Sequence, residues 1–191
     1  MSGSESYKLL FIGEPGAGKT TCIESLSDIA PLVTDVRCTD ELARLKENTT
    51  VAFDYGELSL GDQGRLLLYG LPGQSRFRFM FDVVRENLLG VIVLVDAASS
   101  LALDGLRETL DAYESAIREL PCVVALNKNG KPPSALLEGC EALLRERGMV
   151  APILVADARR REELVRMFDL LFMMIENGVD PKTPTGEATW H

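Results

Sequence analysis

Along the chain, short apolar runs alternate with stretches in which apolar residues return every three or four positions. Tyr7 to Ile12 is apolar and ends at Gly13, and helical spacing starts at Lys19, which reads as strand, glycine loop, helix. Val51 to Leu60 and Arg65 to Tyr69 flank Gly61-Asp62-Gln63-Gly64, a composition suited to a tight reversal between antiparallel strands. Gly90 to Val95, Pro121 to Leu126 and Pro152 to Val155 are almost wholly apolar, as strands covered on both faces are. Between and after them, three helices follow from the spacing of Leu103, Leu106, Leu110, Tyr113, Ile117 and Leu120, of Leu136, Cys140 and Leu143, and of Leu164, Phe168, Leu171 and Ile175.

Six strands alternating with helices imply an α/β three-layer sandwich: a mostly parallel six-stranded sheet with right-handed crossovers and one antiparallel edge strand contributed by the hairpin. One domain over residues 1–176 is expected, followed by a polar tail, 177–191, carrying Gly178, Pro181 and Pro184.

Charge narrows the partners. A net charge of −9 disfavours a broad surface for nucleic acid or anionic lipid. Cys22, Cys38, Cys122 and Cys140 are too scattered for a zinc site or redox dithiol. No apolar stretch reaches the roughly 18 residues of a membrane span, and Ser2 and Ala188-Thr189-Trp190-His191 match no lipidation signal. The expected location is the cytoplasm, without a lipid anchor.

Gly13-Glu14-Pro15-Gly16-Ala17-Gly18-Lys19-Thr20 satisfies G-x-x-x-x-G-K-[ST] between a strand and a helix. Its glycines let backbone N–H groups turn inward onto a phosphate, at the positive end of the helix dipole. Lys19 supplies a point charge to the terminal phosphates, Thr20 a hydroxyl for Mg2+, and Thr21 continues the loop into the helix.

Downstream, Tyr69-Gly70-Leu71-Pro72-Gly73-Gln74-Ser75-Arg76-Phe77 resembles the third motif and second switch of Ras-like and Arf-like small GTPases. The resemblance implies that the Gly73 N–H meets the γ-phosphate and that Gln74 orients the attacking water. It also implies that Thr50 in Thr49-Thr50-Val51-Ala52-Phe53-Asp54-Tyr55-Gly56 is the second hydroxyl ligand of Mg2+, with Thr49 as its neighbour of identical chemistry. Asn127-Lys128 resembles the guanine motif, and Ala156-Asp157-Ala158 the fifth motif. More narrowly, Phe-Asp-Tyr-Gly together with Leu-Pro-Gly-Gln-Ser-Arg-Phe-Arg-Phe-Met and Val-Leu-Val-Asp resembles prokaryotic small GTPases of the gliding-motility and conservon type, which implies a roadblock-type partner protein at the switches.

Two positions depart from the family pattern. Gly70 stands where the Walker B aspartate belongs, and Asp54 on the adjacent strand is the candidate replacement for metal binding. Gly130, beside Asn129, stands where the guanine motif ends in aspartate. Arg76 and Arg78 are candidates for a cis arginine finger or for plain surface arginines, and Phe77, Phe79, Met80 and Phe81 for a partner surface or core. The activity so implied is slow, partner-stimulated GTP hydrolysis by a molecular switch carrying GTP or GDP with Mg2+. An ATP-dependent small-molecule kinase and a nonhydrolysing nucleotide-binding scaffold are the alternatives.

Overall fold

The structure is a computed structural model that describes residues 6–30, 32–35 and 52–178. Seven strands form one sheet: β1 (Ser6–Gly13), β2 (Leu32–Asp35), β3 (Ala52–Ser59), β4 (Arg65–Pro72), β5 (Leu88–Asp96), β6 (Cys122–Asn127) and β7 (Ile153–Val155), in the order β2-β3-β4-β1-β5-β6-β7. The helices are α1 (Lys19–Leu26), α2 (Phe79–Val84), α3 (Ala102–Ile117), α4 (Ser134–Glu146) and α5 (Arg161–Glu176).

All six strands expected from the sequence are present, and the parallel sheet with one antiparallel member is as anticipated. Only β3 runs against the rest, pairing with β4 through the Gly61–Gln63 turn. A further strand, β2, pairs outside β3, so the antiparallel strand is second from the edge rather than at it. Four residues with no apolar run of their own carry too weak a pattern to announce a strand; pairing with β3 creates it.

Period-two alternation sends neighbouring strand residues to opposite faces and gives the sheet two cores. On one face Leu10, Ile12, Val91, Val93, Val124 and Leu126 pack with Met80, Leu106, Leu110, Tyr113 and Cys140 from α2, α3 and α4. On the other, Leu9, Phe11, Leu68, Ile92 and Ala125 pack with Ile23 and Leu26 of α1 and Leu164, Met167, Phe168 and Leu171 of α5. The buried stripe of α5 continues to Met174, leaving Ile175, which the spacing had turned inward, exposed. Among the described residues no helix is long and apolar enough to cross a membrane.

Candidate nucleotide site

The phosphate loop sits where β1 ends at the middle of the sheet. Gly16 and Gly18 take φ of 84° and 108°, left-handed values that admit glycine far more readily than other residues. A Cβ on Gly18 would run into the Asn127 amide, so the loop must pass that side chain without one. Pro15, Gly16 and Thr20 are exposed along the crest, while Ala17 and Lys19 are buried beneath it. Gly18 caps α1 without a side-chain bond, and the first N–H groups of α1 stand at the loop.

Lys19 folds back over the loop. Its Nζ donates to the Gly13 carbonyl at 2.9 Å and the Glu14 carbonyl at 2.8 Å. Burial lowers its pKa to about 8, against the opposing pull of Asp54 and Glu14. A phosphate would add negative charge at this ammonium and restore its preference for the proton.

Asp54 lies on β3 directly opposite Gly70 on β4, half-buried, and its Oδ2 accepts a 2.8 Å hydrogen bond from the Thr20 hydroxyl. A Cβ on Gly70 would come within 3.0 Å of that carboxylate oxygen. The missing side chain on β4 therefore leaves the space that the Asp54 carboxylate fills. An exposed hydroxyl beside an ionisable carboxylate is an oxygen donor set suited to Mg2+, which usually takes one or two protein oxygens and completes its octahedron with phosphate and water. Among the described residues no group of three or more His, Cys, Asp or Glu is arranged as a self-sufficient metal cage.

Where β4 ends, the Gly73 N–H donates to the Gly13 carbonyl at 2.7 Å, tying the third motif to the first residue of the loop. Three residues of α3 at a spacing of four support this junction. Gly105 faces the Glu14 side chain, and the Thr109 hydroxyl lies where a Cβ on Gly73 would be. Tyr113 donates its phenol to the Pro72 carbonyl at 2.7 Å. Thr109 is 1% exposed, and its hydroxyl has no hydrogen-bond partner among the described residues. Sequence inspection missed this row: Tyr113 was legible only as core, and nothing in the spacing distinguishes a threonine packed under Gly73 from any other on a buried helix face.

The structure separates the two arginines. Arg76 donates to the Gln74 Oε1 at 2.8 Å and lies 4.8 Å from the centre of the Phe77 ring, whereas Arg78 turns to Ser115 on α3 at 3.2 Å. Arg76 thus reaches the glutamine of the third motif and Arg78 lines a cavity of about 790 Å3 between α2 and α3. Of the aromatic run, Met80 is core, Phe77 and Phe81 pack at its margin, and Phe79 is the residue left exposed.

Asn127 is 3% exposed and joins three segments. Its Nδ2 donates to the Ala17 carbonyl at 2.8 Å, and its Oδ1 accepts from the N–H groups of Lys128 at 2.8 Å and Ala158 at 3.0 Å. Lys128, held at a left-handed φ of 70°, pairs its ammonium with Asp96 at 2.6 Å. Asp157 precedes Ala158 on the loop after β7, while Gly130 contributes open space, a Cβ there meeting nothing within 4 Å. Thr49 and Thr50 lie outside the described residues.

These features define a P-loop protein with the small-GTPase-like fold. Superposition on the small GTPase Arl6 (BBS3) of Trypanosoma brucei, solved with the nucleotide analogue GppNp, gives a TM-score of 0.63 at 17% identity, covering 91% of this chain and 99% of that one. In sequence the chain is similar to the uncharacterized protein MJ1339 of Methanocaldococcus jannaschii, 27% identical across 65% of this chain and 71% of the relative. It is also similar to the Ras-related protein Rab-32 of Mus musculus (26%; 71% of this chain) and the ADP-ribosylation factor-related protein 1 of Rattus norvegicus (26%; 67%), and spans 62% of the length of each. The chain belongs to the family described as conserved hypothetical ATP-binding proteins, whose model matches residues 28–133, more than half of its length. That match begins beyond the phosphate loop and ends just after the Asn127-Lys128 loop.

Proposed function

We propose that this protein is a Mg2+-dependent guanine-nucleotide switch that hydrolyses GTP slowly and is read by a regulatory protein, of roadblock type, in the cytoplasm. The observation that carries the reading is the Gly73 to Gly13 hydrogen bond. It puts a Pro-Gly-Gln segment against the phosphate loop, where a γ-phosphate would compete with the Gly13 carbonyl for the Gly73 N–H. A kinase of small molecules gains nothing from that contact.

Within this reading the glycine loop and Lys19 hold the phosphates, Thr20 and Asp54 hold the metal together with Thr50, and Gln74 orients water. Asn127 braces the loop, with Lys128 beside the base. Bound there, Mg2+ would supply positive charge to offset charge developing on the phosphate. Arg76 reaches Gln74 and orients it; Arg78, tied to Ser115, serves α2 packing instead of the phosphate.

The family description and Gly130 favour a second reading, in which the same cradle holds ATP. Dissociation constants of GTP, GDP, ATP and ADP for the nucleotide-free chain with Mg2+, followed by single-turnover phosphate release, separate the two. A guanine preference above about a hundred-fold with slow phosphate release supports the switch. Equal or tighter ATP binding overturns it, and tight GTP binding without any phosphate release leaves a nonhydrolysing scaffold.

A further inference from the structure

Pro72 and Gly73 share one peptide unit, and both of its polar ends are held from outside the segment. Its carbonyl accepts the Tyr113 phenol at 2.7 Å, and its N–H donates to the Gly13 carbonyl at 2.7 Å. The register of β1 with β4 ends at Gly13 and Pro72, so this peptide is the first beyond the ladder. Its own residues do little to fix its plane. Proline sets its φ but not its ψ, and glycine leaves φ on the far side freer than any other residue does. A Pro-Gly peptide therefore rotates unless a neighbour stops it, and here the neighbour is α3.

We propose that Tyr113 is a positioning residue: by holding the Pro72 carbonyl it keeps the Gly73 N–H turned to the phosphate loop, and so sets how strongly the chain prefers a nucleoside triphosphate over a diphosphate. The proposal rests on the nucleotide-binding reading above and adds to it the group that orients the donor for the γ-phosphate.

The phenol sits on a rigid element. Leu106, Leu110 and Ile117 anchor α3 in the core on either side of Tyr113, whose own ring is buried and meets Phe81 edge-on at 6.4 Å. Burial pushes the phenol pKa up, so the hydroxyl remains a proton donor at any working pH. A rotation of the peptide would turn the Pro72 carbonyl onto the Gly13 carbonyl, oxygen to oxygen, and would take from the buried phenol the acceptor it has. On a third side the Thr109 hydroxyl stands where a Cβ on Gly73 would be, which closes the space into which Gly73 could swing.

The consequence differs between nucleotides. A γ-phosphate competes with the Gly13 carbonyl for the Gly73 N–H, and an N–H already aimed at the loop needs no further ordering to meet it. A diphosphate reaches the glycine loop and Lys19 but not this N–H. The phenol thus touches neither nucleotide and acts on the binding of one.

Tyr113→Phe in the full chain tests this, because the ring stays in the core and only the hydroxyl leaves. Affinities for the nonhydrolysable analogue GppNp and for GDP are measured with Mg2+, together with thermal melting and the hydrogen-exchange rate of the Gly73 amide in nucleotide-free protein labelled at glycine. The expected result is a GppNp affinity lowered by roughly three- to ten-fold, the scale of one hydrogen bond, with GDP affinity unchanged and the Gly73 amide exchanging faster. A phenol that only stabilised the fold would weaken both nucleotides alike. An unchanged GppNp to GDP ratio in the folded variant therefore overturns the proposal, as does a ratio that rises or a Gly73 amide that exchanges at the original rate. Ile117→Val, a truncation one turn further along the buried face of α3, should lower the melting temperature and leave the ratio alone; an equal fall in the ratio there would show that loosening the helix suffices, and overturns the role of the hydroxyl. If the chain takes adenine nucleotides instead, the ratio of AppNp to ADP reads the same effect, so the choice of base can fail while this proposal stands. An original chain that binds no nucleotide overturns both.

Discussion

Asp54 and Gly70 face each other across the β3–β4 ladder, and the carboxylate of the one occupies the space that a side chain on the other would need. Of the two facing positions, only Asp54 carries an acid. Asp54→Ala should weaken Mg2+-dependent nucleotide binding by roughly ten-fold or more, the scale of a lost charge-assisted hydrogen bond. Gly70→Asp alone should lower stability, since its Cβ starts within 3.0 Å of Asp54 Oδ2 and brings a second carboxylate to the first. Asp54→Gly combined with Gly70→Asp should recover part of the metal dependence. A titration of nucleotide affinity against Mg2+ for the three variants checks all of this, and unchanged metal dependence in Asp54→Ala would sink it.

Lys19 gives a pH signature. Burial places its pKa near 8, below the 10.5 of an unfolded chain. Between these values the unfolded state binds more protons, so this lysine's contribution to stability improves as pH rises from about 8 to about 10.5, and its full cost is carried below 8. Phosphate binding needs the charged form, so above pH 8 it must draw a proton from solution. Nucleotide affinity should fall between pH 7.5 and 9 in the original chain and stay flatter in Lys19→Met, with proton uptake visible as a buffer-dependent binding enthalpy. Parallel pH profiles for the two would refute the assignment.

How far the sequence reached depends on the length over which each signal is written. The strands β1, β5 and β6 are long apolar runs, and the phosphate loop is eight consecutive residues with a fixed geometry, so both were legible. Asp54 was legible as a candidate because hairpin pairing brings neighbouring strands close, but its register with Gly70 depends on where the Gly61–Gln63 turn sits. Strand β2 has no pattern of its own and follows from the edge that β3 offers. The α3 row of Gly105, Thr109 and Tyr113 was not legible at all, because the same spacing serves any buried helix face; only the approach of Gly73 and Glu14 gives it meaning.

Thr109 tests that row. A hydroxyl 1% exposed and without a partner among the described residues is a desolvated polar group, which costs on the order of 1–3 kcal/mol. Thr109→Val keeps the shape and removes the hydroxyl. The melting temperature should rise by about 2–4 °C, as about 1 kcal/mol produces in a chain of this size. A lower melting temperature would mean that the hydroxyl is satisfied, by water or by the backbone.

Gly73 is the residue on which the switch reading turns, and its environment makes it intolerant of the smallest addition. A Cβ at this position meets the Thr109 hydroxyl on one side and the Gly13 carbonyl carbon at 2.9 Å on the other. The threonine end can be removed, but the Gly13 backbone is fixed by β1, by the Lys19 ammonium and by the Gly73 N–H itself. Gly73→Ala should therefore push the end of β4 away from the phosphate loop and break the 2.7 Å bond. Phosphate release from bound GTP should drop by roughly ten-fold or more, because Gln74 is displaced with it, whereas GDP, which has no γ-phosphate to meet the Gly73 N–H, should bind nearly as before. Adding Thr109→Ala should restore folding stability in part but not hydrolysis, since the backbone contact at Gly13 remains. Full recovery of phosphate release in the double variant would show that the side chain, not the loop backbone, positions the third motif.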